Sequence, residues 1–159
     1  MTNGKILKAL GTTLALVLGL AGAAYALQVE TAALPMGSDF QVLTEFVPGS
    51  NGDGSIVCGG PDEIDFDDTV MLSIRFGADG KVSVNDVPGP AFVPGNPHRA
   101  DIRFNRVGSD YFADIALRDL ASGQMVYAAM GVDVNRPTTL QGEAIVSADV
   151  VTLLSVIPQ

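Results

Sequence analysis

Tryptophan is absent from this chain of 159 residues, and cysteine and histidine occur once each, as Cys58 and His98. A single cysteine excludes an internal disulfide, so a folded domain must draw its stability from its core, a metal or neighbouring subunits. A single histidine excludes a multi-histidine metal centre, and His98 with Cys58 offers at most two borderline or soft ligands, too few for zinc. Basic residues are also scarce: nine lysines and arginines face 18 acids, for a net charge of −9. Such a surface repels nucleic acid and anionic lipid and favours cations or basic partners. Glycines occur without phosphate-loop spacing and without a lysine to complete one, which leaves nucleotide binding without support. No heptad, internal repeat, glycosylation sequon or helix of useful length is present.

What is present begins with a distinctive N-terminus. Met1 to Lys8 carries two lysines and no acid, Ala9 to Ala24 is uncharged and apolar, and Ala24-Tyr25-Ala26 closes the run with small residues at alternate positions. Together these predict a secretory signal peptide over residues 1–26, with cleavage after Ala26 and a secreted, periplasmic or cell-surface destination. The competing reading is a retained membrane helix, since Ala9 to Leu27 nearly spans a bilayer. Cleavage leaves residues 27–159 as one domain with no stable membrane insertion, large enough for a real core. Both leader lysines are lost with it, so 18 acids then face seven bases and the charge becomes −11.

Residues 100–134 declare the fold class. Ala100 to Arg106, Tyr111 to Arg118 and Gln124 to Val134 read as strand-like runs that alternate apolar and polar residues, with turn-like Val107-Gly108-Ser109-Asp110 and Asp119-Leu120-Ala121-Ser122-Gly123 between them. Period-2 patterning predicts a sheet with one buried face. Ile102, Phe104, Ala113, Ile115, Leu117, Val126, Ala128, Met130, Val132 and Val134 are expected inward. Phe112, Met125 and Tyr127 then fall outward, as an apolar patch for a second sheet, a partner subunit or a ligand.

Upstream, Phe40 to Val47 and Thr69 to Phe76 alternate as well, and Lys81 to Val87 follows the turn Gly77-Ala78-Asp79-Gly80 as a hairpin. Four prolines between Val87 and His98 predict an irregular crossover between sheets, with Phe92 and Val93 tucked onto the core. Thr138 to Val156 supplies one or two further strands. Roughly eight to ten strands in one domain indicate an all-β, antiparallel β-sandwich or jelly-roll-like fold.

Candidate sites are few. Asp53, Asp62, Glu63, Asp65, Asp67 and Asp68 gather hard oxygen ligands in two adjacent loops, the donor type calcium takes in sets of about six to eight. Their spacing matches no EF-hand or nonapeptide repeat, so a solvated loop is the competing reading. Paired carboxylates there could also serve a small hydrolase. His98, Asp101 and Ser109 or Ser122 form a Ser-His-Asp set on paper, without the Gly-x-Ser-x-Gly elbow that would support it. Cys58, between Ile56-Val57 and Gly59-Gly60, is either buried or open to an intermolecular disulfide. The strand carrying Phe40 and Val42 could lie at an edge and pair with a neighbouring molecule.

These observations favour an exported structural or interaction protein that self-associates through edge strands into a filament or surface layer. The alternatives are a secreted calcium- or carbohydrate-binding β-sandwich module, the shortage of aromatics counting against carbohydrate, and a small secreted hydrolase using loop carboxylates.

Overall fold

A computed structural model describes residues 27–49, 54–60, 70–134 and 142–159. They form eleven strands: β1 (Gln28–Leu34), β2 (Phe40–Val47), β3 (Gly54–Gly59), β4 (Val70–Phe76), β5 (Lys81–Val84), β6 (Val87–Ala91), β7 (His98–Val107), β8 (Asp110–Asp119), β9 (Met125–Asp133), β10 (Gly142–Ala148) and β11 (Val150–Pro158). Two sheets result, ordered β1-β10-β3-β4-β5-β6 and β11-β2-β7-β8-β9. Every pairing within them is antiparallel. The all-β antiparallel sandwich expected from the alternation is what forms. Among the described residues no helix is long and apolar enough to cross a membrane.

Alternation becomes layering through register. Phe40, Val42, Thr44 and Phe46 of β2 lie opposite Phe104, Ile102, Ala100 and His98 of β7, and Ala100, Ile102 and Phe104 lie opposite Leu117, Ile115 and Ala113 of β8. All of these residues are buried. The facing sheet contributes Ile56 and Cys58 opposite Ile74 and Leu72, with Val82, Ala144 and Val146 alongside. Aromatic rings pin the layers: Phe40 stacks on Phe104 at 4.7 Å within one sheet, and Phe46 meets Phe76 of the other sheet edge-on at 5.0 Å. Such pairs add about 0.5–1.5 kcal/mol each beyond the area they bury.

Three expectations change here. Phe40 and Val42 are fully buried on a strand flanked on both sides by β11 and β7, so they serve the core and are not an edge interface. The proline-rich stretch is a crossover only from Phe92 to Pro97. Val87–Ala91, with Pro88 and Pro90, is a strand, which proline permits because β6 is the last in its sheet and one side of its backbone needs no ladder donor. Phe92 is buried in the core as expected, whereas Val93 is exposed. The β5–β6 turn uses Asn85 and Asp86, both in the left-handed region at φ 47° and 62°, the hand that right-twisted hairpins need.

Each outer strand carries a feature that discourages pairing with another molecule. β6 has its prolines, and β1 directs Glu30 to the inward register position opposite Val146. β11 is bulged between Val151 and Leu153 and ends at Pro158, and β9 is bulged twice. Prolines, inward charges and bulges are the usual means of blunting sheet edges.

Candidate functional site

The outer face of the five-stranded sheet is built from the residues that alternate with the core. Three cross-strand rows can be read from the registers. Glu45 faces Arg99, which faces Arg118, which faces Met125; Leu43 faces Asp101, then Ala116, then Ala128; Gln41 faces Arg103, then Asp114. The middle row shrinks to alanine on β8 and β9, while its neighbours carry long side chains. A row of methyl groups between two taller rows makes a trough. It is a groove of about 410 Å³ lined by Asp101, Arg103, Asp114, Ile115, Ala116, Ala128, Ala129 and Met130.

Polar groups around the groove are held in place by one another. Gln41 Nε2 donates to Asp101 Oδ1 at 2.7 Å, and Arg103 Nε lies 3.7 Å from the same oxygen. Asn105 Nδ2 donates to Asp114 Oδ2 at 3.1 Å, and the Gly131 backbone N–H donates to Asp114 Oδ1 at 2.8 Å. Arg99, which faces the like-charged Arg118, pairs with Glu45, and Arg118 Nη1 donates instead to the Gly123 carbonyl at 2.8 Å. These exposed ion pairs contribute about 0–1 kcal/mol each to stability. Their main consequence is placement, with a guanidinium and two carboxylates gathered around an apolar floor.

The wall on the β9 side depends on a bulge. Ala129 lies opposite Ile115 and Val132 opposite Ala113, so Met130 and Gly131 together face the single residue Asp114. Gly131 sits in the left-handed region at φ 63°, where a side chain would be strained. Met130 is left 86% exposed at the groove wall. A second bulge between Leu117 and Arg118 places Tyr127 opposite Leu117 and Ala128 opposite Ala116. This reverses part of the expected parity of β9. Tyr127 faces inward and packs on the core, and Ala128 and Met130 face outward. Met125, 46% exposed, and Phe112, opposite Asn105 and Asp133, keep the expected outward side. Strict alternation carried no sign of either bulge; Gly131 within the run was the one available hint.

The other candidates are placed as follows. Asp53, Asp62, Glu63, Asp65, Asp67 and Asp68 lie outside the described residues, as does the 1–26 segment. Among the described residues no group of three or more histidine, cysteine or acidic side chains could hold a metal. His98 is fully buried, ringed by Phe46, Phe76 and Phe92 at 6.0–6.2 Å, with Nδ1 2.8 Å from the Asn96 carbonyl. Asp101 occupies the opposite face of the same strand, so the paper triad of His98, Asp101 and a serine does not assemble. Cys58 is buried, and burial pushes its thiol up to about 12. A bridge to another molecule would require this interior position of the sheet to open.

No protein-family model and no curated protein sequence matches this chain. Solved structures of similar shape include a variant of human galectin-16 (TM-score 0.49, 13% identity, 81% of this chain and 94% of that one). A scytalido-glutamic peptidase bound to a peptide-based transition state analog gives 0.41, with 16% identity over 82% and 71%. A carbohydrate-binding module from Bacillus subtilis gives 0.38, with 13% identity over 92% and 91%. At these values the likeness carries no functional argument, and the site has to speak for itself.

Proposed function

We propose that this chain is a carbohydrate-binding β-sandwich module, exported by its N-terminal segment, that holds a saccharide in the groove on its five-stranded sheet. The observation that carries the reading is the alanine trough of Ala116 and Ala128 with Arg103, Asp101 and Asp114 around it. A polyhydroxylated ligand offers donors and acceptors on one molecule, and this groove answers both, with a guanidinium to donate and carboxylates to accept. Charge-assisted hydrogen bonds of this kind are stronger than neutral ones. The groove volume falls in the lower part of the range of small-ligand pockets, about 300–1,000 Å³. The groups also support binding better than bond cleavage: Asp101 and Asp114 are tied to neighbouring donors, and the histidine lies beneath the sheet.

Titration calorimetry of the full chain against a panel of neutral and charged oligosaccharides tests the proposal. Saturable binding is expected, weakened at least tenfold by Arg103→Ala and by Ala116→Leu, which fills the trough, with the melting midpoint of each variant close to that of the parent. A tenfold loss corresponds to about 1.4 kcal/mol. Absence of heat and of thermal stabilisation with every saccharide at millimolar concentration would sink the reading.

A further inference from the structure

The groove contains a feature that stability does not require. Met130 is 86% exposed, at a bulge secured by the hydrogen bond from Gly131 N–H to Asp114 Oδ1, and it lines the groove. An exposed methionine adds nothing to the core. Bulges near binding sites re-aim side chains, and methionine is a polarizable surface that adapts to irregular apolar shapes. Resting on the saccharide reading above, we infer that Met130 is the apolar contact of the bound sugar and that the ligand is a neutral hexopyranose. Its ring C–H face lies over Met130 and the Ala128 methyl, and its hydroxyls face Arg103, Asp101 and Asp114.

Charge counts against an acidic sugar. The groove lining holds two carboxylates and one guanidinium, a net charge of −1, on a chain whose total is already −9. An acidic sugar would have to approach both Asp101 and Asp114 to reach Arg103, and like charges at that range repel. An acyclic polyol brings hydroxyls without a rigid C–H face, so it gains nothing from Met130 and pays more conformational entropy on binding. The shortage of aromatics therefore does not remove the apolar half of a sugar site. Here that half is aliphatic.

The test uses the full chain labelled with ¹³C at the methionine methyl groups. Maltotetraose, cellotetraose and mannotetraose serve as neutral pyranose probes, trigalacturonate as the acidic one and sorbitol as the acyclic one. The expected result is a shift of the Met130 methyl resonance that saturates with the calorimetric binding of at least one neutral probe. Met125, exposed on the same strand but outside the groove, acts as the internal control and stays in place. Met130→Ala weakens that binding about five- to tenfold, Met130→Leu stays within about twofold, and trigalacturonate and sorbitol bind at least tenfold more weakly. Neutral binding that depends on Arg103 while the Met130 methyl stays silent overturns the inference and leaves the saccharide reading standing. Tighter binding of trigalacturonate also overturns it. No binding by any probe defeats both.

Discussion

Tyr111 offers a quantitative check on how the sandwich holds its first connection. Its ring is buried in the core, 5.8 Å from the Phe40 ring, but its hydroxyl reaches the turn between β1 and β2. There it accepts a hydrogen bond from the Gly37 N–H at 2.8 Å and donates to the Ser38 carbonyl at 3.1 Å. Gly37 is in the left-handed region at φ 99°, so the turn holds a conformation that few residues adopt. Tyr111→Phe keeps the ring and deletes both bonds. Each is worth about 0.5–1.5 kcal/mol net. Gly37 and Ser38 are exposed, so water recovers part of what is lost, and the total expected is about 1–2 kcal/mol. With a urea m-value of about 1.5–2 kcal/mol/M for a domain of this size, the unfolding midpoint falls by about 0.5–1.3 M at constant m. Parallel urea titrations of parent and variant, followed by circular dichroism, read this directly. A loss below about 0.3 kcal/mol would refute the reasoning, because it would mean that water replaces the hydroxyl without cost and that the turn is held by other contacts. Two such contacts exist, Arg106 Nη1 to the Gly37 carbonyl at 2.6 Å and Arg106 N–H to Asp39 Oδ1 at 2.7 Å.

Two further outcomes follow from titratable groups. Asp119, only 3% exposed, accepts a hydrogen bond from the Asn96 amide and others from the Ser122 and Ala121 backbone, and these with the nearby His98 ring hold its carboxyl below the usual carboxylate range. A depressed native value means that Asp119 contributes stability above the ordinary value of 3.8 and loses it as pH falls through the native value. Asp119→Asn should therefore flatten the acid limb of a stability-against-pH curve; an unchanged limb would count against this. Cys58 should resist thiol reagents in the native protein up to about pH 9 and react fully in denaturant, since the thiolate is the reactive form. Rapid native labelling would show that the β3 interior opens readily.

The sandwich was legible because its strands alternate cleanly. Phe40 to Val47, Ala100 to Asn105 and Tyr111 to Arg118 each place apolar residues two apart, and a one-residue slip would expose the whole set to water, so burial enforces the register. The expectation of export rests on the local composition of residues 1–26 alone, which lie outside the described residues. The groove was not legible in the same way. Ala116 and Ala128 read as unremarkable small residues, and only the pairing of β8 with β9 sets them in one row between taller neighbours. On β9 the alternation itself misled, because bulges add residues that periodicity cannot count: Tyr127 turned inward, and Met130 turned out toward Arg103 and Asp114. Composition and period thus determined the class of fold and the buried faces of the unbulged strands, since those depend on which residues avoid water. Tertiary structure decided the candidate site, since a groove depends on which residues from separate strands are brought side by side.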